Sequence, residues 1–186
     1  MPDIASFLPD PDESVTEHTI VDAGAERTYA AIGRAEISGD RLLGLLRGLT
    51  GFADRLAGAS ARPRTLDELL RPELGFVSLA DEPGTARIVG LAARYNPFDR
   101  GVARLAPEQF ASFDEPGHLK AVVAFSLHPQ DGGRTLLSCE ALIRATDDDT
   151  RSTLHTAWFV VGAGLRTLAR RLLELIKDEA ERSSAS

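Results

Sequence analysis

One stretch near the C-terminus limits the fold more than any other. Leu154, Trp158, Val161, Leu165, Leu168, Leu172 and Leu175 follow one another at alternating steps of four and three residues. That spacing places all of them on one face of an α-helix. Asp147, Asp148 and Asp149 precede the run and put negative charge where a helix dipole is positive, with Thr146 or Asp147 as the capping residue. About 30 residues at 1.5 Å each make a rod of roughly 45 Å. Gly162 and Gly164 fall at its middle, where a bend is expected. A helix with one apolar face needs a surface to lie on. Roughly three heptads is short for a coiled coil, so the expected surface is a sheet of the same chain.

That sheet is legible upstream, where the apolar period changes to two. Over residues 118–128, Leu119, Ala121, Val123, Phe125 and Leu127 share one face, while His118, Lys120, Val122, Ala124, Ser126 and His128 share the other. Past Pro129-Gln130-Asp131-Gly132-Gly133, a matching run sets Leu137, Cys139, Ala141, Ile143 and Ala145 against Arg134, Ser138, Glu140 and Arg144. One apolar and one mainly polar face predict an antiparallel sheet covered on one side only. Residues 76–80 and 85–93 flank the turn Asp81-Glu82-Pro83-Gly84 and predict a hairpin. The β-branched run 14–21 predicts a first strand, and residues 102–113 are expected to add one or two short strands around Pro107.

Between the first strand and the hairpin the pattern is helical. A short helix is expected over residues 25–32, and a glycine-weakened amphipathic one carries Leu42, Leu45, Leu46, Leu49, Phe52 and Leu56. Thr65 and Glu68 are spaced as a capping box for a further turn. The chain of 186 residues suits one domain over residues 14–182, with a flexible proline-rich leader at 1–13 and a disordered tail at 183–186. The class is α+β.

Composition removes several functions. Lys and Arg number 21 against 28 Asp and Glu, a net charge of −7, which repels phosphate backbones and argues against a nucleic-acid partner. No uninterrupted run of 18 apolar residues is present, so no membrane span is expected. The start of the chain has no basic and apolar secretion signal, and the single Cys139 forms no intrachain disulfide, so a cytoplasmic protein is expected.

Particular motifs sharpen the architecture. They are Val21-Asp22-Ala23 with Glu26-Arg27-Thr28-Tyr29-Ala30-Ala31, Arg64-Thr65-Leu66-Asp67-Glu68-Leu69-Leu70, and the stretch from Gly75-Phe76-Val77-Ser78 to Glu82-Pro83-Gly84. Gly90-Leu91-Ala92-Ala93-Arg94-Tyr95, Phe113-Asp114-Glu115-Pro116-Gly117 with Lys120, and Leu137-Ser138-Cys139-Glu140 with Ile143-Arg144-Ala145-Thr146-Asp147 complete them. On these residues the chain resembles the SRPBCC superfamily of START-like and birch-pollen-allergen-like domains, in particular a bacterial polyketide cyclase/dehydrase-like group. The resemblance implies a helix-grip fold, a curved antiparallel sheet wrapped around a long C-terminal helix, with a cavity between them. Asn96 stands where the group has Trp, and Cys139 and Ala141 flank Glu140 where it has Thr, which implies a smaller or less polar site.

Little in the chain resembles catalytic machinery. His18, His118, His128 and His155 form no HExxH motif or carboxylate–His cluster, and no metal or cofactor is expected. Cys139 lies on an apolar strand face, where a thiol is inert, and no Gly-x-Ser-x-Gly elbow exposes a serine. No catalytic residue is assigned. The candidate ligand-binding group is Arg94, Tyr95, Phe98, Phe113, Phe125, His155 and Trp158, with the aromatic rings as lining. In that group Arg94 could pair an anion, Tyr95 donate to a carbonyl and His155 relay a proton. The expected function is binding of a hydrophobic or aromatic small molecule between sheet and helix. The alternatives are a polyketide aromatase/cyclase- or dehydratase-like enzyme, and a protein-interaction or dimerisation module that presents the apolar face of the 42–56 helix to a partner or a second copy. The expected state is a monomer or homodimer.

Overall fold

The computed structural model describes residues 3–37, 63–95 and 101–182. The 42–56 helix, Asn96, Phe98 and the 183–186 tail lie outside the described residues. In chain order the elements are β1 (Glu13–Val21), α1 (Ala25–Arg34), α2 (Leu66–Leu69), β2 (Val77–Glu82), β3 (Ala86–Arg94), α3 (Pro107–Phe110), β4 (His118–Gln130), β5 (Arg134–Ala145) and α4 (Asp148–Arg182). The strands form one antiparallel sheet in the order β1-β5-β4-β3-β2. This is the helix-grip α+β fold expected from the sequence.

The long helix forms as its pattern predicts. Asp147 caps it by accepting from Thr150 N at 2.9 Å and Thr150 Oγ1 at 2.8 Å. The same carboxylate accepts from Gly117 N, so one side chain fastens the starts of both α4 and β4. These donors, Gly117 N first, hold its pKa down at about 2. The helix continues through Gly162 and Gly164 over 35 residues, or about 52 Å. In α2, Thr65 Oγ1 accepts from Glu68 N at 3.3 Å, while the Glu68 carboxylate accepts from Arg64 N at 2.7 Å, one residue earlier than the usual capping box.

Among the described residues, the inner face of the sheet meets α1, α2 and α4. Phe125, Leu127, Leu137 and Cys139 pack there against Leu168, Leu172, Leu173, Ile176 and Ala180 of α4. Ala31 and Ile32 of α1 and Leu66 and Leu69 of α2 close the same core. Along the β1 edge, Glu13 and Glu17 reach His155 and Arg170 on α4 at 2.8 and 2.9 Å.

The outer face departs from expectation. It is not left to solvent: Val77, Ile88, Val122, Ala124 and Leu142 are buried there beneath Leu8 and Phe110. Two segments supply the cover. Residues 3–12, read as a loose leader, form a 3-10 turn at Ile4–Ser6 capped by Asp3 and bury Leu8. Asp12 then accepts from Ala145 N and from Arg151 Nε, each at 2.7 Å. The second cover is α3. Residues 102–113 were expected as strand, but Pro107 begins a helical turn, and the only pairing there is a bridge between Ala93 and Val102. Proline fixes φ and suits a helix N-terminus, which outweighed the strand pattern. Val122 and Ala124, two apolar residues on the supposedly polar face, were the signal for this second layer.

Candidate functional site

Alpha4 rests on the sheet in two different ways. Its C-terminal half packs solidly against the inner face, whereas its N-terminal half stands over a cavity of about 100 Å³. The sheet wall consists of Leu91 and Ala93 of β3, Leu119 and Ala121 of β4, and Ile143 of β5. The helix wall is Leu154, Val161 and Leu165, and Arg94 and Tyr95 line the end where β3 finishes. Register explains the space. Leu91 pairs with Ala121 and Ala93 with Leu119, so the two alanines lie on a diagonal and leave a gap that the leucines cannot fill. Two neighbouring carbonyls fix the end of β3: Arg94 N donates to Gly101 O at 2.7 Å and Tyr95 N to Gly117 O at 2.9 Å.

The candidate side chains divide. Arg94 and Tyr95 border the cavity, Arg94 exposed and Tyr95 half-buried. Phe125 is 1% exposed and belongs to the solid core. Phe113 stands edge-on to His118, with ring centroids 5.0 Å apart. His155 faces the β1 edge, half-exposed, with Nδ1 2.8 Å from Glu13 Oε1. The Trp158 ring lies along its own helix against Gly162, where an added Cβ would come within 3.0 Å of Cε2. None of these four is among the residues that line the cavity. The aliphatic lining was not singled out in the sequence, where the available signal was alanine alternating with leucine on strand faces opposite the long helix.

The segment from Phe113 to Lys120 is a structural clasp. His118 Nδ1 lies 2.9 Å from Glu115 O, and Lys120 Nζ donates to Ala111 O at 2.9 Å while sitting 5.1 Å from the Phe110 ring centre. Burial lowers the Lys120 pKa, with the Arg144 charge adding to it. Gly117 takes a φ of 81°, a turn conformation that favours glycine. These contacts seat α3 and the start of β4 on the outer face.

Cys139 is fully buried, and its pKa is pushed from 9.0 to about 12 by burial first, then by Glu140 and Glu17. A folded-state value above the unfolded one stabilises the protein below pH 9, and that contribution disappears as pH rises toward 12. Cys139→Ala is therefore expected to lose less stability between pH 9 and pH 12 than the parent chain, read from denaturant midpoints. In the parent chain, a thiol reagent at neutral pH should react with Cys139 only on unfolding. Labelling of the native protein at the rate of a free cysteine would contradict the burial. Among the described residues, no group of three or more His, Cys, Asp or Glu could hold a metal ion, and no helix is long and apolar enough to cross a membrane.

No protein-family model and no curated relative matches the chain. Solved structures similar to it include a Mesorhizobium loti protein at 14% identity, covering 91% of this chain and 98% of that one, with a TM-score of 0.44. A Thermus thermophilus protein has 13% identity over 92% of this chain and 99% of its own, with a TM-score of 0.37. The Zhui aromatase/cyclase of a Streptomyces species has 14% identity over 91% and 94%, with a TM-score of 0.30. Likenesses of this degree carry no inference about a ligand or a reaction.

Proposed function

We propose that the domain binds a hydrophobic small molecule, or the hydrophobic part of one, between the sheet and the N-terminal half of α4. The observation that carries this reading is the cavity itself. Among the described residues, eight aliphatic side chains from three strands and one helix line it, and the polar ones, Arg94 and Tyr95, lie at one end. Burial of apolar area at about 25 cal/mol per Å² supplies the affinity, and the polar end supplies orientation. An anion or a carbonyl on the guest suits that end, since guanidinium and phenol are both donors. The described lining contains no carboxylate, imidazole or thiol. Acid–base catalysis draws on His, Glu, Asp, Lys, Tyr or Cys within reach of the reacting proton. Of these the described lining holds Tyr95 without a carboxylate or imidazole beside it in that lining, which supports binding over a cyclase or dehydratase reaction. A buried free thiol suits the reducing cytoplasm, where we place the protein.

Methyl-labelled NMR tests this reading. Titration with small neutral aromatics is expected to give saturable shifts concentrated on the methyls of Leu91, Ala93, Leu119, Ala121, Ile143, Leu154, Val161 and Leu165. Shifts scattered over the surface, or none at all, would remove the proposal.

A further inference from the structure

We infer that the alanine diagonal, Ala93 and Ala121, limits the guest to one apolar group of about a single ring and excludes fused-ring molecules. This rests on the binding reading above and adds a size limit to it. Sites for drug-sized ligands run to roughly 300–1,000 Å³, whereas this cavity is about 100 Å³. An apolar cavity of about 150 Å³ holds one benzene ring, so a space of about 100 Å³ leaves room for one ring at most, with its substituent in the polar end.

The size cannot be adjusted easily from the sheet side. Leu91, Ala93, Leu119 and Ala121 sit on adjacent hydrogen-bonded strands in fixed register, and the opposite face of those strands is itself packed under Phe110 and Leu8. Widening the cavity by bowing the sheet would open that second core. On the helix side Leu154 is fully buried at the first turns of α4, which Asp147 ties to the start of β4. The two alanines are therefore the positions where side-chain volume was withheld, and their size decides what enters.

The test measures binding of phenol, naphthol and a hydroxyanthraquinone to the full chain by calorimetry. Larger apolar guests bind more tightly where space permits, because they bury more area. The expected order is the reverse: phenol saturates, naphthol binds at least about tenfold more weakly, and the hydroxyanthraquinone does not saturate. Ala121→Leu is expected to abolish phenol binding while the melting temperature stays the same or rises, since the added carbons fill a void. Ala93→Val is the second filling variant, should the first fail to fold. Leu165→Ala is expected to gain naphthol by at least about tenfold.

Tighter binding of naphthol or the hydroxyanthraquinone than of phenol to the parent chain would overturn the size limit and leave the binding reading standing. Undiminished phenol binding by a folded filling variant would overturn the role of the alanines. Failure of all three probes to bind the parent chain would overturn the binding reading, and the size limit with it.

Discussion

Leu154→Ala is expected to lower the free energy of unfolding by about 3–5 kcal/mol, at the upper end of the range for buried leucines. Leu154 is fully buried and faces the cavity from the first turns of α4. Removing its isobutyl group forfeits the transfer energy of the lost carbons. The vacated volume also joins a void that already exists, so neighbours cannot collapse into it from every side, and the residual-cavity contribution is retained. Leu165→Ala is the comparison, because Leu165 lines the same space but is only half-buried, and a smaller loss is expected. Equilibrium denaturation with an unchanged m-value reads both. A loss below about 1 kcal/mol for Leu154→Ala would mean that the space closes on truncation, and the cavity could not then be a preformed site.

Most of the architecture was legible because it rests on periods. Leu154 to Leu175 fixed the long helix, and Leu119 to Leu127 with Leu137 to Ala145 fixed the inner face of β4 and β5. Caps were legible for the same local reason, since Thr65 and Asp147 each satisfy donors three residues on. Long-range cover was harder to read. Nothing near Leu8 says that it crosses to the outer face and lies over Val122 and Leu142. Apolar residues interrupting the polar faces, Val122 and Ala124 on β4 and Leu142 on β5, were the hint that a second layer was needed.

The candidate side chains were chosen by residue type rather than register, and most of those in the described residues lie away from the cavity. Aromatic and titratable side chains looked like natural lining, yet Phe125 falls where α4 packs tightly and His155 turns to Glu13. The cavity arises from what is small, Ala93 and Ala121, and smallness carries no motif. Arg94 and Tyr95 border the cavity because β3 ends at its rim.

The same lesson applies on the outer face, where one glycine decides whether the second layer can close. Gly90→Ala is expected to destabilise the protein by about 1–3 kcal/mol, and Gly90→Val by more, as overpacking of a well-filled core does. Gly90 sits mid-strand, paired with Val77 on one side and Val122 on the other. A Cβ built there would lie 2.7 Å from Phe110 Cε2, 2.9 Å from Cζ and 3.0 Å from Leu79 Cδ1. Phe110 is 1% exposed and wedged against Leu8, Ile88 and Val122, so its ring cannot swing aside as a flexible surface chain would. The sign of the effect is the informative part. At an unstrained position Gly→Ala stabilises by about 0.4–1 kcal/mol through the unfolded chain. A net loss therefore reports a clash larger than that gain. Phe110→Leu makes room for the added methyl, so the double variant is expected to lose less than the sum of the two single ones, with a coupling of about 0.5–3 kcal/mol. Gly90→Ala that proves neutral or stabilising would show that Phe110 does not press on the sheet at Gly90. The outer cluster would then lack the rigidity that keeps β3 and β4, and with them the cavity wall, in place.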